Sequence, residues 1–185
     1  LNNTFTNLNH IVLDASGKIV VSDSNQLIRL LNNGTVHGSF DSDGRVQIQN
    51  MSVQDFVIDG SGNHLVGGYV HNGANWDTAV LRYSALAQLD VGYATGGTAL
   101  FNFGGQSGDF GRAIALHGSG VVVAGQAQGT FTSGPGWGFY DQVVIKLDSA
   151  GQPDASFGVN GIARHGINTP LGFGDVTTIK VDGQD

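Results

Sequence analysis

The stretch AIALHGSGVVVAG, residues 113–125, decides how the rest of the chain is interpreted. It consists of an apolar run, a short turn that contains glycine and a second apolar run, which is typical of a β-hairpin. The same arrangement occurs earlier in IVLDASGKIVVSD, residues 11–23, and in FVIDGSGNHLVGG, residues 56–68. Hairpin turns of the primed types need positive φ, which glycine adopts without steric cost. The sequence therefore predicts a repeat protein, with these turn glycines: Gly17, Gly62 and Gly120.

A second module follows each hairpin with constant spacing. A basic residue is followed eleven residues later by an aromatic residue and four residues after that by a glycine. The three sets are Arg29, Phe40 and Gly44; Arg82, Tyr93 and Gly97; and Lys146, Phe157 and Gly161. A short alternating or apolar stretch begins at or just after each glycine, which indicates one more strand. Each repeat is therefore expected to contain four strands.

Four short strands in each of three successive units predict an all-β fold, a β-propeller of four-stranded antiparallel blades. About three complete repeats are expected, with partial blades at both ends of the chain. A β-sandwich or a stacked β-solenoid is the alternative, although neither requires the constant spacing. The predicted units are residues 1–10 as the last strand of a preceding blade, 11–55, 56–112 and 113–176 as repeats, and 177–185 as the start of a fourth repeat.

The third repeat carries a family resemblance. Its hairpin, followed by YDQVVIKLDSAGQPDASFGVNG, resembles the delta-60 repeat, a bacterial β-propeller repeat family of largely uncharacterised function. The second repeat departs from this pattern with Ala87, where the others have Gly34 and Gly151, and the first has a very short connection between its second and third strands. The resemblance implies a propeller fold and an extracellular setting, and it implies no particular reaction.

Composition excludes several classes of partner and chemistry. The chain of 185 residues has a formal charge of −7, and its eight Lys and Arg residues form no cluster, which argues against nucleic acid or an anionic membrane surface. No apolar run approaches the roughly 20 residues of a membrane-spanning helix. The absence of cysteine excludes disulfides and thiolate chemistry. Together with the abundance of Gly, Asn, Ser and Thr, it favours a bacterial secreted or cell-surface protein.

The connections between second and third strands vary in length, whereas the turns at the opposite edge do not. Variable loops on a rigid scaffold commonly carry binding, so this edge is the candidate functional face. Aromatic rings among Gly- and Asn-rich loops suit stacking on sugar rings or contact with a protein, although the same rings would also pack between blades. The candidate ligand-binding residues are His71, Trp76, Asp77, Trp137, Tyr140 and Asp141.

Carboxylates also recur before the first strand of a repeat, at Asp55, Asp109 and Asp175. A ring of carboxylates could bind Ca²⁺, but aspartates that accept backbone hydrogen bonds at strand starts would recur in the same way. The histidines lack a metal-binding spacing such as HExxH. His64 and His117 flank hairpin turns, where exposure to solvent is expected. No catalytic residue, metal site or required cofactor is predicted.

These patterns indicate a non-catalytic extracellular module, for binding or for structure, that presents its variable loops to a polysaccharide or a protein. One alternative is a propeller enzyme, a glycan or ester hydrolase, that uses Asp77, Asp141 or His71 for acid–base chemistry. Another is a subunit that self-associates through open sheet edges.

Overall fold

The computed structural model describes residues 8–104, 108–128, 140–166 and 176–182, and within these ranges the chain forms strands and loops without helices. The strands are β1 (His10–Leu13), β2 (Ile19–Asp23), β3 (Gln26–Leu30), β4 (Arg45–Gln47), β5 (Met51–Ile58), β6 (His64–His71), β7 (Trp76–Tyr83), β8 (Thr98–Phe101), β9 (Phe110–His117), β10 (Gly120–Gln128), β11 (Tyr140–Leu147) and β12 (Ile162–His165). They form three antiparallel sheets of four consecutive strands each: sheet 1 (β1–β4), sheet 2 (β5–β8) and sheet 3 (β9–β12). The predictions of an all-β chain and of four strands in each unit are therefore confirmed.

Sheet 2 lies between the other two and buries both of its faces. Strand β5 contacts β1 and β2 of sheet 1, while β5, β6 and β7 contact β9 of sheet 3. Successive side chains of a strand point to opposite faces, so β6 sends Val66 to the core shared with sheet 1 and Leu65 to the core shared with sheet 3. Burial of both faces explains why the strands of sheet 2 are apolar runs rather than strictly alternating.

The constant spacing of the second module follows from backbone hydrogen bonds. The N–H groups of Arg29, Arg82 and Lys146 donate to the carbonyls of Gly44, Gly97 and Gly161 at 3.1, 3.2 and 2.9 Å. Each glycine is left-handed, and a Cβ on Gly97 would lie 2.7 Å from Leu89. Glycine is therefore required here by both conformation and space.

The basic residues of the module pair with carboxylates along the same loops. Arg82 reaches Asp90 at 2.7 Å and Lys146 reaches Asp154 at 3.1 Å. Arg29 pairs instead with Asp14, because His37 stands at the position of these two aspartates. Burial raises the pKa of Asp14, but hydrogen bonds from Ser16 and Lys18 and the charge of Arg29 outweigh it and bring the pKa to about 2.

Two of the three hairpin turns differ from the primed turns expected from the sequence, whereas the third is a two-residue turn with positive φ at its first residue, Gly118, as a primed turn requires. In the first, the N–H of Gly17 donates to Asp14 at 2.8 Å, and φ is positive at Gly17, which follows the turn. Gly62 repeats this geometry, that of a type I turn followed by a left-handed residue. In the third hairpin, Gly118 has φ +56°, whereas Gly120 is the first residue of β10 and its φ is not positive. Gly120 was therefore the wrong turn residue.

Two boundaries between units lie at other residues than the sequence predicts. His10 pairs with Ser22 and opens β1, so it belongs to sheet 1 rather than to a preceding unit. The first strand of sheet 2 begins at Met51, because a β-bulge at Gln54 lets the strand continue on both sides of it. Residues 176–182 form no strand, and the rest of 177–185 lies outside the described residues.

His64 is buried rather than solvent-exposed as expected, with 2% of its surface accessible. The ring packs edge-on against Phe40, with centroids 5.2 Å apart, and its Nδ1 lies 3.3 Å from the carbonyl oxygen of Ser84. Burial lowers the pKa of this imidazole, because the charged form would lose its hydration between the two sheets. His64 is therefore part of the contact between sheet 1 and sheet 2.

Candidate binding site

Five aromatic side chains meet where sheets 2 and 3 adjoin, at the edge with the variable loops. We call this group, which consists of Tyr69, His71, Trp76, Phe110 and Tyr140, the aromatic cluster. The Trp76 ring meets Tyr69 at 5.3 Å and His71 at 4.8 Å, both nearly perpendicular. Phe110 then links Tyr69 to Tyr140, with centroid distances of 5.0 and 6.0 Å. Three predicted site residues, His71, Trp76 and Tyr140, are thus brought into one group.

The tight loop between β6 and β7 places the exposed half of the cluster. His71 and Trp76 are directly paired across the two strands, so their side chains lie on one face. The side-chain oxygen of Asn72 accepts the N–H groups of Ala74 and Asn75 at 2.9 and 3.0 Å, which closes the loop. Nδ1 of His71 in turn accepts the N–H of Gly73 at 3.2 Å. The loop thus holds His71 against the Trp76 ring, while 36% of Trp76 remains exposed.

A positive charge lies beside the rings because of two β-bulges. The extra residue is Gln54 in β5 and Arg112 in β9, and Nη1 of Arg112 donates to Oε1 of Gln54 at 3.3 Å. The guanidinium lies 5.6 Å from the centre of the Tyr69 ring and 5.1 Å from that of Phe110, within cation–π range. The bulges thus place the guanidinium of Arg112 beside the aromatic cluster, a position that it would not have in regular strands.

The two predicted carboxylates are buried beside the cluster. Oδ2 of Asp77 accepts a hydrogen bond from Nδ2 of Asn72 at 2.8 Å, while Oδ1 is buried without a partner among the described residues. Oδ2 of Asp141 instead accepts Nε of Arg164 at 2.5 Å. The difference arises because Leu100 occupies the position on β8 that Arg164 has on β12. Trp137, the remaining predicted site residue, lies outside the described residues.

Two of the carboxylates considered for Ca²⁺ have structural partners. Oδ2 of Asp55 accepts the N–H of Ile114 at 3.0 Å across the junction of sheets 2 and 3, and its Oδ1 lies 3.1 Å from Nδ1 of His10. Asp55 lies within β5, not before it as expected, because β5 begins at Met51. Oδ2 of Asp109 accepts the N–H of Phe103 at 2.7 Å. Asp175 lies outside the described residues, which contain no group of three or more potential metal ligands.

Sequence reasoning missed Tyr69, Phe110 and Arg112. Tyr69 and Phe110 stand at the same edge as Trp76, since the end of a second strand and the start of a first strand meet there in an up-and-down sheet. Two glycines opposite the bulges, Gly68 on β6 and Gly125 on β10, are the sequence signal that could have revealed the bulges and with them the position of Arg112. A Cβ at either glycine would collide with a backbone oxygen of the neighbouring strand.

Comparisons with known proteins give the chain no family. No family model and no curated protein matches it. Among solved structures, it is similar to a protein of unknown function from Bacteroides caccae, with 13% identity and a TM-score of 0.44 over 87% of this chain and 61% of that one. It is also similar to the extracellular domain of a one-component system protein from B. thetaiotaomicron, with 13% identity and a TM-score of 0.44 over 95% of this chain and 19% of that one. The chain therefore spans less than two thirds of the length of either structure.

A search of the described residues for a helix long and apolar enough to cross a bilayer finds none.

Proposed function

We propose that the protein is a non-catalytic β-propeller segment of the delta-60 type that binds a polysaccharide outside the cell through the aromatic cluster. The propeller assignment is supported by three sheets with one topology, stacked in chain order, and by the same loop module in each. The extracellular setting is supported by the cysteine-free composition and by the resemblance to the delta-60 repeat.

The observation that carries the binding proposal is Trp76, a residue that is 36% exposed and whose ring is contacted edge-on by Tyr69 and His71. Sugar rings present C–H faces that pack on aromatic rings, and a ring already held in place loses little conformational entropy on binding. Tyr69 and His71 hold Trp76 at interplanar angles of 85° and 76°, so they restrict its rotation without covering it by stacking. The binding surface is thus preorganised.

The charge of the protein narrows the class of polysaccharide. A formal charge of −7 disfavours the approach of a highly charged anionic polymer. The nearby charge of Arg112 is satisfied in part by Gln54 and by the Tyr69 and Phe110 rings. A neutral glycan therefore fits best, because its hydroxyl groups can hydrogen-bond to polar side chains and its ring faces can stack on Trp76.

The proposal is tested by calorimetric titration with neutral gluco-, manno-, galacto- and xylo-oligosaccharides of about six sugar units. At least one should bind, and Trp76→Ala should weaken it about 10-fold or more, since loss of a stacked ring is worth at least ~1.4 kcal/mol. Trp76→Phe should retain part of the affinity. Val159→Ala, which trims an exposed apolar residue at the opposite edge, is the matched control and should bind normally.

Two results would contradict the proposal. Full affinity of the Trp76→Ala variant would place the ligand elsewhere, and the absence of binding by every sugar at millimolar concentration would favour a protein partner. Chromatography of the same mixtures detects cleavage. Turnover that Asp141→Asn abolishes without loss of binding would favour a hydrolase instead.

A further inference from the structure

The loop between β6 and β7 contains an asparagine followed by a glycine, Asn72–Gly73. Such a pair can cyclise, because glycine has no side chain to shield its nitrogen, which can add to Cγ of the asparagine side chain. The chain has two other pairs of this kind, Asn33–Gly34 and Asn160–Gly161. All three asparagines are exposed, so the effect of their surroundings can be compared within one molecule.

The glycine nitrogen of the pair Asn72–Gly73 lies beside a base. The N–H of Gly73 donates to Nδ1 of His71 at 3.2 Å, so this imidazole nitrogen carries no proton and faces the proton that must leave. The N–H groups of the other two glycines donate to main-chain carbonyls: Gly34 to Leu31 at 2.8 Å and Gly161 to Phe157 at 2.9 Å. Because an amide carbonyl is a far weaker base than imidazole, Gly73 is the nitrogen best placed to lose its proton.

The side-chain carbonyl of Asn72 is polarised by two main-chain donors. Its Oδ1 accepts the N–H groups of Ala74 and Asn75 at 2.9 and 3.0 Å. Negative charge develops on this oxygen when a nucleophile adds to Cγ, and donors already aimed at it lower the barrier. Oδ1 of Asn33 also has two donors, the N–H of Thr35 at 3.0 Å and its hydroxyl at 2.7 Å. The contrast between Asn72 and Asn33 therefore depends on the base and on the leaving nitrogen.

The leaving nitrogen of Asn72 lies against a carboxylate. Nδ2 of Asn72 donates to Oδ2 of Asp77 at 2.8 Å and to Oδ1 of Asn75 at 2.6 Å. Asp77 is buried, and its Oδ1 has no partner among the described residues. A carboxylate in this place stabilises the positive charge that Nδ2 gains when it takes up a proton. A base, two oxyanion donors and an anion thus surround one side-chain amide.

We propose that Asn72–Gly73 is a site of self-modification, at which Asn72 becomes a succinimide and then aspartate or isoaspartate. The nitrogen of Gly73 adds to Cγ of Asn72 while its proton passes to Nδ1 of His71. The bond from Cγ to Nδ2 then breaks, and Nδ2 takes up that proton and leaves as ammonia. His71 thus acts first as a base and then as an acid. Water afterwards opens the succinimide ring at either carbonyl, which gives the two acids.

The modification alters the aromatic cluster, and its effect on binding rests on the proposed polysaccharide site. A carboxylate at position 72 lies against the buried carboxylate of Asp77, so repulsion replaces a hydrogen bond. Isoaspartate also adds one backbone carbon to the loop between His71 and Trp76, which are directly paired across β6 and β7. Either product loosens the loop that holds His71 against the Trp76 ring. The reaction therefore limits the lifetime of the binding surface.

The test follows the three pairs by mass spectrometry while the purified 185-residue protein ages at physiological pH and temperature. Trypsin places the pairs on separate peptides, residues 30–45, 46–82 and 147–164. Loss of ammonia marks the succinimide, and replacement of the amide by a carboxylate marks its products. The same protein unfolded in urea gives the rates that local sequence alone dictates. The His71→Phe variant keeps a ring against Trp76 but removes the base.

In the folded protein Asn72 should react about 10-fold or more faster than Asn33 and Asn160, because a positioned base contributes at least this much, whereas in urea the three should react at comparable rates. In folded His71→Phe, checked by circular dichroism, Asn72 should react about 10-fold or more slowly, with the other two unchanged. No sugar is present, so these rates are independent of the polysaccharide proposal. A folded Asn72 that reacts no faster than the other two, or at the wild-type rate in His71→Phe, would overturn the inference.

Discussion

Alanine at position 151 is expected to destabilise the protein much more than alanine at position 34, although both glycines occupy the same position of the same loop. Their φ angles are nearly identical, +79° at Gly151 and +81° at Gly34. A left-handed conformation costs an alanine about 1–2 kcal/mol, and the reduced entropy of the unfolded chain offsets about 0.4–1 kcal/mol of this. Gly34→Ala should therefore lower the free energy of unfolding by about 1 kcal/mol.

Gly151→Ala carries an additional cost because of its neighbour. A Cβ there would lie 2.6 Å from Cζ of Tyr93, whose ring is fully buried. Overpacking of this kind costs about 1–3 kcal/mol, so the total should reach about 2–4 kcal/mol. Ala87, with φ +69°, already occupies the equivalent position in sheet 2. Ala87→Gly should change stability little, because relief of strain is offset by loss of a buried methyl group, worth about 0.8 kcal/mol, and by greater unfolded-state entropy.

The assay is equilibrium unfolding in urea at low protein concentration, followed by circular dichroism, with the slope checked for constancy. The second measurement repeats Gly151→Ala in a Tyr93→Leu background, where the smaller side chain should remove most of the extra cost. Equal destabilisation by Gly34→Ala and Gly151→Ala would refute the reasoning. So would an extra cost at position 151 that persists after Tyr93 is replaced.

Three further predictions concern polar groups at the junctions between sheets. Burial lowers the pKa of His64 in the folded protein, whereas the unfolded chain takes up the proton near pH 6.5. The free energy of unfolding should therefore fall as the pH drops below about 6.5. Urea titrations at pH 5 and 7.5 should show that His64→Leu reduces this pH dependence. Asp55→Ala should lower the free energy of unfolding by about 2–4 kcal/mol, because it leaves the Ile114 N–H unpaired at the junction of sheets 2 and 3. The exposed control Asp43→Ala should lower it by about 0.5 kcal/mol. Equal losses of stability in thermal unfolding would contradict this prediction. Arg82→Lys should lower the free energy of unfolding by about 1–2 kcal/mol, because an ammonium group cannot keep both the two contacts with the Asp90 carboxylate and the hydrogen bond to the Ser149 carbonyl. An unchanged midpoint of urea unfolding would contradict this prediction.

Strand number and order could be predicted because the signals for them are local. An apolar run, a turn and a second apolar run specify a hairpin within about a dozen residues. The interval from Arg82 to Gly97 marks one backbone hydrogen bond that closes a loop. Turn type was less predictable, since Gly62 and Gly120 look alike in sequence while only Gly62 follows its turn in a left-handed conformation.

The candidate site was predicted only in part. The edge with variable loops was identified, and it does hold His71, Trp76 and Tyr140. Arg112 was missed because a β-bulge reverses the side of the sheet that later residues face, so simple alternation misplaces them.

The sequence by itself determined that this chain forms repeated four-stranded units, because hairpins and loops are held by hydrogen bonds between residues close in the chain. Only the tertiary structure decided what each repeated position does. Gly34 faces open space while Gly151 contacts Tyr93, and Asp141 has a guanidinium partner that Asp77 lacks. These differences depend on residues from other strands or a neighbouring sheet, which lie far apart in the chain, so no local pattern records them.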